Sequence, residues 1–534
     1  MSRSSTPHFT TSYEVVVFSE NDPDDPKNWS QRRKDWILAM ICILAFVGVF
    51  GSSIYAPGQG QIRQLYGVST TTANAGLSLY VAGLGVGPLL CPLTEMYGKR
   101  KPYVISWVLM IVAITPSAFA ENIVVILVFR FLTGFCAACS LNTGNSIVAD
   151  IYPSSLHALS HSITIFVLSA LTGPCFGSLV GFFVAAHSRR QLWVLRVHLF
   201  FAIALIPVVL MLPETYPPAI LASRAKKLRK RGKGNARAAH ELHGKTILQV
   251  VQGHILRPLA MIVREPIVQG AAAWISLGYG IIYFYFEAYP VVFIEQHGIP
   301  FQLCGLMFLA VTLGMVLAVL PYTWLVQTFR RLPLLGIERV GTDPKELNLK
   351  VVLSACILLP LALFWFAWTS EDETHWIAPA LAGIPFGYSS IMVFFAFLSY
   401  SSHTYGVYSS SANAANTFVR SIVASAFPLF GTPLLNNLGT KWGLSLFGFL
   451  SIGLLPVPLI YIRYGAALRE RSYFARQARE VAACMHEQVN VVNVVSEKDK
   501  QDIDNTSDMQ QVLAGDGTQV AVVDGQSGLD QDNV

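Results

Sequence analysis

The sequence predicts an all-α polytopic membrane protein with twelve transmembrane helices, and three observations carry that prediction. Composition comes first: 53% of the 534 residues are apolar or aromatic, only 13% are charged, and the mean hydropathy is +0.48. Soluble domains carry roughly 25% charged residues, so a soluble enzyme is excluded at the outset. Second, mostly apolar windows of about 20 residues, the length that crosses a bilayer, recur along the whole chain. Third, Lys and Arg fall almost entirely on one side of those windows.

The windows lie near 36–56, 73–93, 102–120, 123–145, 161–186 and 193–212, then 267–290, 302–326, 351–369, 375–400, 409–433 and 443–463. The domain reading follows: a tail over 1–35, six spans over 36–212, a loop over 213–266, six spans over 267–463, and a largely disordered tail over 464–534. The central loop holds eleven Lys or Arg against three Glu. With both termini in the cytoplasm, the inner segments carry 31 of the 38 basic residues and the outer loops four: Arg63, Arg189, Arg190 and Lys441. The positive-inside rule therefore puts both ends and the loop in the cytosol. Contact with anionic lipid explains the run Arg224–Lys233 better than nucleic-acid binding, because neither aromatic residues nor a folded domain accompany it.

No cleavable signal precedes the first span. Beyond Phe474 there is no Phe, Tyr or Trp, and from Glu497 nine acidic residues face two lysines, so no core is expected there. Seven of eight cysteines lie in apolar segments and are expected as free thiols; Cys136 and Cys139 read as small packing residues, not metal ligands. No metal, cofactor or nucleic acid is implied, and a monomer is expected.

An ionised group in hydrocarbon is costly, so each one inside a span is a functional candidate. Arg130 shares a helix face with Gly134, Ala137 and Ala138, a small-residue stripe that brings a second helix close and points the guanidinium inward. It either serves coupling or satisfies backbone carbonyls. Arg420 follows Asn413 and Asn416 at i, i+3, i+7 spacing; that polar stripe lines a cavity or bonds a neighbouring helix. Glu287 is the one acidic residue well embedded in a span, near its outer end. It either exchanges a proton or anchors an aromatic belt. Ser169, Gly173, Gly177 and Gly181, with Pro174, form a groove and a candidate hinge. Gly83, Gly85 and Gly87 lack the strand and polar turn of a phosphate site. A membrane enzyme is disfavoured: none of the twelve histidines has an Asp five residues on, as acyl-transfer sites often do.

The loop Cys91-Pro92-Leu93-Thr94-Glu95-Met96-Tyr97-Gly98-Lys99-Arg100 resembles the signature loop of the major facilitator superfamily. Arg130 and Gly134 match its fourth-helix motif, and Gly173-Pro174-x-x-Gly177 looks like the fifth-helix motif of proton antiporters. Asp22-Pro23 through Trp29-Ser30, Ala149-Asp150-Ile151-Tyr152-Pro153, Leu212 to Pro218, Phe286 to Pro290 and Phe418 to Ser421 extend the similarity to the fungal twelve-helix drug:proton antiporters. Arg190-Gln191-Leu192-Trp193 and the loop Leu334–Lys350 depart from that pattern.

The resemblance implies two six-helix bundles around a midplane cavity that opens alternately to each side. It implies proton-coupled efflux of hydrophobic drugs, toxins or secondary metabolites across a plasma or vacuolar membrane, with import or polyamine export as alternatives. Glu95, Arg130, Asp150, Glu287 and Arg420 are then candidates for proton coupling and gating. Asn145, Tyr279, Tyr283, Phe286, Tyr388, Phe394, Phe395, Asn413 and Asn416 are candidates for the substrate cavity, where rings and few charges suit flat apolar ligands.

Overall fold

The computed structural model describes residues 14–19, 21–90, 98–152, 156–188, 192–231, 235–238, 241, 252–319, 344–481 and 520–522. Within the described residues each expected span falls largely on a helix; the ends of two, 91–93 and 320–326, lie outside them. The first six are α1 (Gln31–Ser53), α3 (Thr70–Val86), α4 (Arg100–Ala118), α5 (Ile123–Ile151), α6 (Leu156–His187) and α7 (Trp193–Met211); the short α2 (Gln59–Tyr66) follows α1. Helices α8 (Pro217–Lys230) and α9 (Arg257–Arg264) lie in the central loop. The second six are α10 (Pro266–Tyr289), α11 (Phe301–Val319), α12 (Pro344–Trp368), α13 (Ile377–Tyr405) and α14 (Ser409–Leu454) continuing into α15 (Pro456–Arg471). Gly439, at φ 74°, breaks α14 between the eleventh and twelfth spans.

Local chemistry sets the ends. Ser69 and Asn122 cap α3 and α5 by accepting the N–H groups of Thr72 and Val124, two donors the first turn leaves without partners. Gly67 at φ 64° stops α2, and Gly98 at φ 82° makes the turn into α4, where a side chain would meet Glu214. In α4, Ile105, Val108, Leu109 and Val112 are exposed at i, i+3, i+4, i+7 spacing, and Leu306, Leu309, Leu313 and Leu317 form a similar stripe on α11 at i, i+3, i+7, i+11. Apolar stripes turned outward are wrong for water and right for lipid.

Glycines set the close helix crossings. A methyl group on Gly83 would collide with the Phe131 carbonyl of α5, and one on Gly87 would lie 2.6 Å from the Phe135 carbonyl. On the opposite face, a methyl on Gly85 would sit 2.8 Å from Cβ of Ser421 on α14. The glycine run therefore lets α3 lie between its own bundle and the other one. The groove on α6 receives α1: Ser169 Oγ donates to the Cys42 carbonyl at 2.8 Å, and methyl groups on Gly173 and Gly181 would lie 2.8 Å from the carbonyls of Phe46 and Ile54. Gly177 faces Ser53 and the Phe50 carbonyl.

A leucine at 177 must push α1 away. Gly177→Leu is accordingly expected to lower transport about tenfold or more per folded molecule, with a lower melting temperature. Transport at the parent rate by a variant that runs as a single species on gel filtration would show that the α1–α6 spacing is not needed.

Two features depart from the sequence reading. The terminal segments are not wholly irregular: Glu14–Val16 (β1) pairs in parallel with Ala236–Ala238 (β2) and antiparallel with Val520–Val522 (β3), adding a small sheet to an otherwise helical chain. The central loop is ordered in part. Arg224 on α8 pairs with Asp22 at 2.5 Å, so its basic run also clamps the N-terminal segment. The six described cysteines are free thiols.

Candidate functional site

The site is built where the two bundles meet, along α1, α3 and α5 on one side and α10, α13 and α14 on the other. Arg130 is 1% exposed. Its Nε donates to the Gly76 carbonyl of α3 at 3.0 Å, and its Nη1 and Nη2 donate to the carbonyls of Gly51 and Ser52 at 2.6 and 2.8 Å. Those last two belong to the final turn of α1, where helical carbonyls run out of N–H partners and the helix dipole is negative. The guanidinium also lies 4.7 and 4.4 Å from the ring centroids of Tyr55 and Tyr80. Of the two roles considered for Arg130, satisfying backbone carbonyls is what the geometry displays.

The network crosses to the second bundle at Ser52. Its hydroxyl lies 3.1 Å from the Tyr283 hydroxyl, which lies 3.2 Å from that of Tyr279. The Arg420 guanidinium sits 4.8 Å from the Tyr279 ring and 4.6 Å from the Phe394 ring. A line of polar groups thus runs from Arg130 to Arg420 without a carboxylate in it.

Glu287 lies one turn beyond Tyr283 on α10 and is 8% exposed, so it is not a lipid-facing anchor. Its Oε2 accepts from Asn74 Nδ2 at 3.1 Å and from Thr432 Oγ1 at 3.2 Å, while Asn74 also donates to the Pro428 carbonyl at 3.1 Å. Gln59 stands beside the carboxylate as a third neutral neighbour, although neither its Nε2 nor Glu287 Oε1 reaches hydrogen-bond geometry. Asn74 comes from α3 and Glu287 from α10, so this carboxylate is part of the seam between bundles. Leu179 and Phe182 of α6 against Gly305 and Phe301 of α11 form the other seam; the rings of Phe182 and Phe301 are 5.1 Å apart.

Below these seams a cavity of about 350 Å³ opens toward the end that carries Lys99, Tyr216 and Pro258. Asn145, Tyr279, Phe394, Asn413 and Arg420 line it, with Leu141, Phe166 and Thr417 among the rest. Five expected cavity residues, Tyr283, Phe286, Tyr388, Phe395 and Asn416, are not among its lining, and Phe395 is buried beside the lining residue Phe394 in sequence. Phe286 packs on Phe308 at 5.3 Å in the core of its own bundle, Tyr388 is half-buried outside the lining, and Asn416 is fully buried behind it with neither side-chain atom partnered. Phe286 stands seven residues, about two turns, beyond Tyr279 on nearly the same face of α10, so its height along the helix and not its direction separates it from the cavity. Tyr283 reaches the cavity only through Tyr279. Asn413 combines the two roles considered for its stripe, lining the cavity while donating to Ser402 Oγ of α13 at 3.0 Å.

At the cavity mouth Asp150 pairs with Lys99 at 2.5 Å and accepts from Thr215 Oγ1 at 3.2 Å. Glu95 lies outside the described residues.

The model of the Major Facilitator Superfamily matches residues 41–428. The chain belongs to the major facilitator superfamily. It is 34% identical over 471 residues to an ascochitine biosynthesis cluster transporter of Didymella fabae, covering 86% of this chain and 89% of that one. It is 32% identical to a multidrug transporter of Candida glabrata, covering 87% and 80% of the two chains. Among solved structures, the proton:xylose symporter XylE superposes with a TM-score of 0.56 at 14% identity, over 82% of this chain and 96% of that one, a likeness of fold. As a member of this superfamily the chain is an integral membrane transporter and not an enzyme.

Two acidic residues hold span ends in roles the sequence reading did not assign: Glu214, quoted there only within the motif Leu212–Pro218, and Glu265. Glu214 accepts the backbone N–H groups of Lys99, Arg100, Thr215 and Tyr216, holding the start of α4 against the end of α7. Glu265 is fully buried, accepting from the Tyr405 hydroxyl at 3.0 Å, Ser472 Oγ at 2.6 Å and the Phe474 N–H at 3.0 Å. Both stand at span ends, where a carboxylate in the sequence reads as solvated. Asn74 carried a usable signal, an amide inside an apolar helix.

Proposed function

We propose that this transporter exports hydrophobic drugs, toxins or secondary metabolites in exchange for protons. The observation that carries the reading is Glu287: a carboxylate in the seam between the bundles, held by the neutral side chains of Asn74 and Thr432 with Gln59 beside it, and with no ion pair to a cation among the described residues. Ionised, it is a buried charge without a cation, and the arrangement that admits water to the seam relieves the cost. Protonated, it is neutral and the seam can close over it. Loading and unloading a proton would therefore bias the two bundles between openings to opposite sides, which is the differential stability alternating access requires. Arg130 and the Tyr283–Tyr279 hydroxyls would connect the seam to the cavity, and Lys99–Asp150 would act at the other gate.

The names of the relatives support efflux, and the energetics suffice. One proton moving down 100 mV releases about 2.3 kcal/mol, enough for roughly a fifty-fold gradient. Polyamine export is disfavoured by Arg420, a cation in the cavity wall. In this reading the bundles 36–212 and 267–463 are the moving bodies, 213–266 is a cytoplasmic link in contact with lipid, both termini are cytoplasmic, and a monomer in the plasma membrane suffices.

Accumulation of labelled hydrophobic compounds in inside-out vesicles, with and without an imposed proton gradient, tests the function. Uptake that ignores the gradient for every compound would remove proton coupling. The topology has its own test. A cysteine at Lys226, exposed on α8, should escape impermeant maleimide in intact cells and react after permeabilisation; labelling of intact cells would invert the map.

A further inference from the structure

Four Lys or Arg side chains are buried among the described residues: Lys34, Lys99, Arg130 and Arg420. Three have their charge answered within the chain. Lys34 Nζ donates to the Lys27 carbonyl at 2.7 Å, Lys99 pairs with Asp150, and Arg130 holds three carbonyls. Arg420 differs. It is 7% exposed, its Nε is buried with no partner, and the rings of Tyr279 and Phe394 lie 4.8 and 4.6 Å from its guanidinium.

The place matters as much as the charge. Arg420 lines the cavity, where the one other charged liner among the described residues is Lys99, already neutralised at the mouth. The remaining lining near Arg420 is neutral: Leu141, Phe166, Tyr279, Phe394, Asn413 and Thr417. A guanidinium presents its donors in a planar fork that matches a carboxylate in bidentate fashion, and aromatic rings near it can hold the ring system of the same ligand. An unpaired buried cation is costly and is retained where something pairs with it during the working cycle. Glu287 is engaged in the seam by Asn74 and Thr432, leaving the cavity's own occupant as the partner.

We propose that the cavity takes an aromatic organic monoanion, whose acid group pairs with Arg420 while its ring system lies against Tyr279 and Phe394. This rests on the efflux reading and narrows its substrate class from hydrophobic compounds in general to aromatic acids. A neutral molecule of the same shape leaves the guanidinium unpaired and binds more weakly; a polycation is repelled.

The test uses the full chain in nanodiscs and two probes of equal size, 1-naphthaleneacetate and 1-naphthaleneacetamide, at about pH 7.5 where the acid is ionised. Binding is followed by quenching of tryptophan fluorescence. The acid is expected to bind the parent at least about tenfold more tightly than the amide, a difference of about 1.4 kcal/mol. Arg420→Gln should bring the two within about threefold by weakening the acid alone, and Arg420→Lys, which keeps the charge and loses the fork, should retain part of the preference. Equal binding of both probes by the parent overturns the proposal, whatever the variants do, and so does failure of both to bind. A parallel loss of acid and amide in a folded Arg420→Gln protein also overturns it, because Arg420 would then be shaping the cavity and not reading charge. Gradient-driven accumulation of neutral dyes, measured in the same preparation, keeps the two readings apart: its persistence alongside equal probe binding sinks the anion assignment and spares proton-coupled efflux.

Discussion

Glu287→Gln is expected to stop uphill export while leaving ligand affinity within about threefold of the parent. The amide keeps a carbonyl oxygen for Asn74 Nδ2 and Thr432 Oγ1, so the closed seam of the structure can persist with no charge in it. What disappears is the second state, the ionised one that favours admitting water between α3, α10 and α14. Downhill exchange of labelled for unlabelled ligand should continue at a reduced rate, because the protein can still bind. Accumulation against a gradient should fall from roughly fifty-fold per proton at 100 mV to about one, and the response to external pH should flatten. Asn74→Ala gives the complementary result: Glu287 stays titratable but loses its link across the seam, so coupling should weaken without vanishing. A Glu287→Gln protein that accumulates ligand like the parent, with the same pH response, would move the proton site elsewhere. Glu95 would then be the remaining acidic candidate, since Asp150 is occupied by Lys99.

How much of this was readable in the sequence depends on whether a property belongs to one helix or to two. The spans, the inward direction of Arg130 and the shared face of Asn413 and Arg420 follow from 3.6-residue periodicity within a single helix, and the structure displays each of them. The glycine run at 83–87 reads only as not being a phosphate site; that it serves α5 with one face and α14 with the other appears only once the helices are packed. Partners were illegible. Nothing near Asn74 in the chain points to Glu287, 213 residues away. Aromatic residues misled for a physical reason: Tyr279 and Phe286 stand on one helix with similar chemistry, and only packing decides that the first borders a cavity while the second fills the core against Phe308. The roles of Glu214 and Glu265 were missed because a membrane edge is compatible with both hydrated and buried acids.

Arg130 is expected to be the least replaceable residue of the site. Removing its side chain in Arg130→Met takes the donor from the carbonyls of Gly51 and Ser52 in the last turn of α1, and leaves that of Gly76 with only its bond inside α3, in a position 1% exposed. At about 1–3 kcal/mol for each buried polar group left unmet, the variant should lose several kcal/mol and reach the membrane poorly. Arg130→Lys is the sharper test. It keeps the charge near the last turn of α1, but one ammonium cannot reach carbonyls on α1 and α3 in the geometry of the fork. It should fold, melt at a lower temperature, and transport at about a tenth of the parent rate or less. The route to Glu287 runs through Ser52, whose carbonyl accepts from Arg130 and whose hydroxyl meets Tyr283 one turn before Glu287. If that route carries coupling, Arg130→Lys and Glu287→Gln should be non-additive in the free energy of proton-driven accumulation, by about 0.5–3 kcal/mol as residues sharing a network are. Strict additivity would assign Arg130 to holding α1 against α3, and leave Glu287 to work through Asn74 and Thr432 alone.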